Sequence, residues 1–204
     1  MTGKARAAIG CIAMTILLAA CGTAPKDRFY TLAPASAMAP APVATASAPA
    51  RYGVAIGPVR VPEALDRTQM VVREGPNRVE ILDKHRWAGS LRSEIARALA
   101  AGVGAQLPDA QVSVHDGQAG RNAAYRVAVD IERFDATLND SVAVQALWTL
   151  RQEGGKELGS GRFAATEPTG PGGYDAIAAA YGKALSAMSV QVAQAVRAAQ
   201  SASR

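Results

Sequence analysis

Apolar and polar residues alternate with two distinct periods along the chain, and the switch between them divides it into elements. Tyr125, Val127, Val129 and Ile131 alternate with Arg126, Ala128, Asp130 and Glu132, the period of two that predicts a strand with one covered and one wet face. Val142, Val144, Ala146, Trp148 and Leu150 repeat the pattern, and Gly154-Gly155 stands where a two-residue hairpin turn belongs before a return strand over 157–165. Upstream, Val54 and Ile56 alternate, Gly57-Pro58 intervenes, and Val59 and Val61 resume on the shifted parity, which predicts a strand with a bulge or bend. The runs 69–73 and 78–82 flank the turn sequence EGPN as a hairpin, and Val112 and Val114 mark a short further strand.

Elsewhere the period lengthens to that of a helix. Trp87, Leu91, Ile95 and Leu99 recur every four residues, with Gly102 and Gly104 ending the run. Ile177, Tyr181, Leu185, Met188, Val192 and Val196 form one stripe of a long helix over 174–199. The order is three strands, helix, four strands, helix. Strands with one polar face and helices with one apolar stripe predict an α+β fold: a two-layer sandwich, a largely antiparallel mixed sheet with two helices on one face.

The N-terminus has a different character. Lys4 and Arg6 precede a run over 7–20 with no charged residue, which has the charged-then-apolar order of an export signal. A helix of that run rises about 20 Å, against the roughly 30 Å of a bilayer's hydrocarbon core, so a permanent span is disfavoured. The run ends in Leu18-Ala19-Ala20-Cys21, which resembles the bacterial lipobox. That resemblance implies diacylglyceryl transfer to the Cys21 sulfur, cleavage before Cys21 and acylation of the new amino group. A thiolate suits the nucleophilic step, and two or three acyl chains anchor durably where one does not. Cys11 would leave with the signal, so no intrachain disulfide is expected. Gly22, where aspartate retains lipoproteins in the inner membrane under the better-known sorting rule, resembles the outer-membrane class.

Residues 33–51 are almost entirely Ala, Pro and Ser. Such a composition cannot bury enough surface to offset its ordering entropy, and the stretch reads as a tether of up to about 60 Å. Phe29-Tyr30-Thr31-Leu32 before it is strand-like, and pairing with the folded domain would shorten the leash; the sequence leaves both readings open. The expected organisation is a cleaved signal peptide over 1–20, a lipidated N-terminus with short strand and tether over 21–52, and a single domain over 53–204.

Charge and chemistry narrow the function by exclusion. Without residues 1–20 the chain carries 20 basic and 17 acidic side chains, a formal +3, too even a balance to argue for nucleic acid. Arg73 to Arg97 intersperses cations with Glu74, Glu80, Asp83 and Glu94, as a mixed solvated surface does. His85 and His115 are the only histidines and lack a metal-ligand spacing. No nucleophile elbow, P-loop or dinucleotide fingerprint occurs, and the glycine-rich GSGRF at 159–163 falls in a predicted strand. Glu63 and Asp66 form a carboxylate pair of the kind that is solvated, capping or salt-bridged in most loops. The expectation is a non-enzymatic protein with no metal and no cofactor.

Val59, Val61, Pro62, Leu65, Asp66, Arg67, Val72, Arg73, Arg86, Trp87 and Leu91 fall in one stretch over 58–91 that resembles the ABC-type transport auxiliary lipoproteins (PqiC/YmbA-like). The family pattern is a valine-rich strand, a proline, a Leu-Asp-Arg turn, an arginine-bearing strand and an Arg-Trp opening a helix. Phe29-Tyr30-Thr31-Leu32 behind the lipobox and Leu147-Trp148 match as well; the Ala/Pro insert between Leu32 and Tyr52 departs from it. The resemblance implies a periplasm-facing outer-membrane lipoprotein, held by lipid on Cys21. It would dock onto an MCE (mammalian cell entry) tunnel protein with its ABC permease and ATPase to move lipids between membranes, and assemble as a homo-oligomeric ring. The alternatives are a periplasmic lipid-binding lipoprotein and a structural envelope-assembly lipoprotein. The loop Pro62, Glu63, Leu65, Asp66 and Arg67 is the candidate partner contact: Pro62 fixes the backbone, Leu65 offers an apolar anchor, and the charged residues offer complementarity. In the competing reading Asp66 and Arg67 pair internally or cap the turn, and Leu65 joins the core. Trp87 is expected in the core.

Overall fold

The alternating run that begins at Tyr125 becomes the strand around which the molecule is built. A computed structural model describes residues 26–32 and 50–202; the lipobox, Gly22 and nearly all of the Ala/Pro-rich segment lie outside the described residues. In chain order the elements are β1 (Arg28–Tyr30), β2 (Tyr52–Arg60), a 3-10 turn (Glu63–Leu65), β3 (Gln69–Gly75), β4 (Arg78–Trp87), α1 (Leu91–Gln106), β5 (Ala110–Val114), α2 (Gln118–Arg121), β6 (Tyr125–Thr137), β7 (Ser141–Gln152), β8 (Glu157–Pro168) and α3 (Gly173–Ala202).

The strands form one mixed sheet of the expected α+β fold. Its longest ladders, β6 with β7 and β7 with β8, are antiparallel. On its other side β6 forks: its N-terminal half pairs in parallel with β2, which carries β5, and its C-terminal end meets β3, followed by β4 and then β1 at the edge. The 13 residues of β6 make this possible, since a shorter strand could not serve two neighbours on one side.

Most elements follow from the sequence pattern, with three physical corrections. Trp87 is the last residue of β4, where its N–H donates to the Thr68 carbonyl at 2.7 Å. The helix starts at Leu91 because Ser90 caps it, its hydroxyl accepting from the Ser93 N–H. Gly102 and Gly104 do not end α1, which continues to Gln106. At Gly102 the two long helices cross so closely that a Cβ would collide with the Ser189 side chain of α3; only glycine fits at this crossing. The third correction is Glu94, expected on a solvated surface and found buried. The bulge in β2 stands where Gly57-Pro58 predicts it, with the register shifting between Ile56 and Val59.

One hydrophobic core lies between the sheet and the two long helices. Ile177, Tyr181, Leu185, Met188, Val192 and Val196, the stripe expected of α3, are all buried, as are Leu91, Ile95 and Leu99 of α1. Tyr181 is the centrepiece: its ring stacks on Phe134 with centroids 3.8 Å apart and meets Trp87 edge-on at 6.1 Å. Burial pushes its phenol well above the ordinary value, with Asp135 adding to the shift, so it stays neutral. GSGRF lies in β8 as expected, and Gly161 pairs across from Trp148, whose indole occupies the place a Cβ would take, 2.7 Å away.

Candidate functional site

Two neighbouring regions of the sheet carry the residues that the sequence singles out. The first is the turn after β2. Pro62 holds φ at −54° and opens the 3-10 turn, in which the Leu65 N–H donates to the Pro62 carbonyl at 2.9 Å and the Asp66 N–H to that of Glu63 at 3.1 Å. Asp66 reaches Arg92 on the first turn of α1 at 2.7 Å, and Arg67 Nε donates to the Ala64 carbonyl at 2.9 Å. Asp66 and Arg67 thus brace the turn internally. Leu65 is half-buried and packs against the core, while Glu63 is exposed.

Beside this turn runs a groove of about 360 Å³ along the outer face of β3, β4 and β6. Pro62, Leu65 and Arg67 form one wall; Val71, Val79 and Ile81 provide its apolar surface. Val79 and Ile81 are 50% and 44% exposed. Cross-strand register explains their direction: Met70 and Val72 pair with Leu82 and Glu80 and face the core side, so Val71 opposite Ile81 and Arg73 opposite Val79 point outward. At the far wall Asp135 holds two guanidinium groups, Arg73 at 3.1 Å and Arg133 at 2.7 Å. The groove therefore pairs an apolar strip with charges already engaged. Sequence reasoning missed Val79 and Ile81, because alternation identifies two faces of a strand without saying which one is covered.

The second region is the N-terminal edge. β1 adds to β4 in parallel, Arg28 opposite His85, Phe29 opposite Arg86 and Tyr30 opposite Trp87. Tyr30 and Leu32 are buried, Leu32 to 1% exposure. The Leu32 N–H donates to the buried Glu94 carboxylate at 3.3 Å, and the same carboxylate takes a close hydrogen bond from Arg97. Lys84 pairs with Asp27 at 3.1 Å, and the Ala88 N–H donates to the Tyr30 carbonyl at 2.8 Å. Of the two readings of Phe29-Tyr30-Thr31-Leu32, pairing with the domain is the one observed.

His85 sits inside this clasp, 2.7 Å from the Tyr30 hydroxyl and against Tyr174, the rings tilted at 40° with centroids 3.9 Å apart. Burial, reinforced by Arg28, lowers the imidazole below its ordinary value, and burial raises the phenol of Tyr30. The imidazole is therefore neutral near pH 7 and the phenol protonated, so Tyr30 donates and His85 Nδ1 accepts. His115 stands apart, 3.1 Å from the exposed Asp116. Among the described residues, no group of three or more His, Cys, Asp or Glu side chains converges.

The family model described as the ABC-type transport auxiliary lipoprotein component matches residues 30–193. The chain belongs to this family. The auxiliary lipoprotein match begins at Tyr30, the last residue of β1, so Tyr30, Leu32 and the turn fall within it while Asp27, Arg28 and Phe29 precede it. No curated protein matches the chain. Among solved structures, an uncharacterized protein is similar with a TM-score of 0.63 at 17% identity, covering 84% of this chain and 99% of its own. Protein XCC0632 from Xanthomonas campestris is similar with a TM-score of 0.59 at 16% identity, covering 76% and 91%. At such identities the likeness is one of fold. The family is one of transport auxiliary components rather than of enzymes, and among the described residues of this auxiliary lipoprotein no helix is long and apolar enough to cross a membrane.

Proposed function

We propose that this auxiliary lipoprotein is the outer-membrane docking component of an MCE-type ABC transport system, anchored by lipid on Cys21, with its domain in the periplasm. The observation that carries the reading is the outer groove: Val71, Val79 and Ile81 form an apolar strip beside the motif turn of a family defined by its association with ABC-type transport. An apolar strip rimmed by charges is the composition of a protein-binding surface. Leu65 and Pro62 extend the strip, and Glu63 supplies a charge at its rim.

The test is a photo-crosslinking residue at Ile81 in the full-length chain, in intact envelopes. The expected product joins it to the MCE tunnel protein, and a crosslinker at exposed Lys156 on the β7–β8 turn gives none. Repeated absence of that product from Ile81, with the protein present at normal level, overturns the reading. The anchor has its own assay: Cys21→Ser is expected to release the protein from the membrane fraction, whereas continued membrane association with an uncleaved signal points to a span.

Transport by the domain itself, as a lipid carrier, is less well supported. The hollow between helices and sheet beside Tyr181 holds about 10 Å³, too little for an acyl chain, whose every methylene fills about as much space as a water molecule.

A further inference from the structure

The strand β1 is both the outer edge of the sheet and the described segment nearest to the anchor. Five residues lie between Cys21 and Asp27, where the described edge begins with the Lys84 ion pair, and the six steps from one to the other span about 20 Å at most when fully extended. Strand alternation turns Tyr30 into the core and Phe29 away from it, leaving Phe29 65% exposed, the most exposed large apolar side chain among the described residues. Nothing in packing explains a phenylalanine there. Around it stand Lys26 on the same segment, Arg86 opposite it in the register, and Lys183 across a shallow groove between β1 and α3, whereas Arg28 shares the side of Tyr30 and His85. With Lys84, these cations outnumber the nearby carboxylates Asp27, Asp83 and Asp175, and Asp27 is already paired with Lys84.

We propose that this edge is a membrane-contacting surface: Phe29 enters the boundary between headgroups and acyl chains while Lys26, Arg86 and Lys183 face anionic headgroups. The inference rests on acylation of Cys21, and goes beyond it by giving the domain an orientation. An aromatic ring flanked by cations is the side-chain set that settles at a bilayer interface, and polybasic segments beside a lipid anchor add attraction to anionic lipid. A tether of a few residues holds the edge at high effective concentration over the lipid, so even a weak preference is populated. A protein partner is the less favoured occupant because the lipid surface is already within the tether's reach. With β1 against the lipid, the groove of β3 and β4 lies one to two strands from the membrane, turned along it rather than pressed into it.

The full-length, lipidated chain carrying Phe29→Trp is reconstituted into vesicles of phosphatidylethanolamine and phosphatidylglycerol with brominated acyl chains. The unsubstituted protein reports the background of Trp87 and Trp148, both buried. Leu147→Trp, at an exposed position of β7 four strands across the sheet, is the control. Quenching of Phe29→Trp beyond background by roughly twofold or more over that of Leu147→Trp, and weaker in phosphatidylcholine vesicles or high salt, is the expected result. Equal quenching at the two positions in protein that floats with the vesicles overturns the proposal while leaving the anchor intact. Protein that carries no acyl mass on Cys21 and fails to float overturns the anchor, and the proposal with it. Quenching that is insensitive to headgroup charge and salt removes the electrostatic half and overturns the proposal as stated.

Discussion

The N-terminal clasp and the outer groove are one or two strands apart in the same sheet, and they treat their side chains in opposite ways. In the clasp, polar groups are buried and satisfied: Glu94 accepts from the Leu32 N–H, Tyr30 donates to His85, and two aromatic rings cover the imidazole. In the groove, apolar groups are exposed: Val79 and Ile81 cover nothing, and the charges at the rim hold one another or the turn. A buried, satisfied polar cluster fixes a position in the fold; an uncovered apolar strip leaves work for another molecule. The first region fixes the N-terminal segment to the domain, and the second is the surface on which the proposed docking rests.

Substitutions that separate stability from partner capture sharpen this contrast. Leu32→Ala removes a side chain buried to 1% exposure and is expected to cost about 2–5 kcal/mol, read as a lower midpoint in urea unfolding. A cost near zero would mean that β1 is not part of the cooperative unit. Glu94→Ala leaves the Leu32 N–H without its acceptor in a buried site, for about 1–3 kcal/mol in the same assay. Asp66→Asn breaks the exposed pair with Arg92 and is expected to cost less than about 1 kcal/mol.

The paired change Val79→Asp with Ile81→Asp should leave the midpoint within roughly 0.5 kcal/mol per site. Partner crosslinking should nevertheless fall to background; a large loss of stability instead would assign the strip to the fold. The smallest effect is a pH dependence. Because burial lowers the folded-state value of His85 below its unfolded one, its contribution is present above the ordinary histidine value and is lost as the pH falls through the depressed folded value. Comparing thermal midpoints of the native chain and His85→Gln between pH 8 and pH 5 should show a steeper acid-side loss in the native chain.

Much of this was legible in the residues themselves. The α3 stripe, the β6–β7–β8 meander and the break at Gly57-Pro58 follow from local periodicity, because a long element with one apolar face has only one way to bury it. Boundaries were less legible: Trp87 continues the four-residue rhythm of α1 by coincidence, and the Ser90 cap decides where the helix begins. Gly102 reads as a helix stop in isolation, whereas the approach of Ser189 from α3 makes it a contact point. The turn at Pro62–Arg67 is legible in its own residues, yet the engagement of Asp66 by Arg92, 26 positions away in sequence, is not, since nothing local couples them.

The sequence by itself determined the long elements, the α+β class and the family, because periodicity, turn residues and motif spacing are written in neighbouring positions. Only the tertiary structure decided that β1 belongs to the sheet, that Glu94 is buried to receive it, and that Val79 and Ile81 face outward. Each of these depends on which strands become neighbours and in what register, and a shift of one residue in that register exchanges the two faces of a strand.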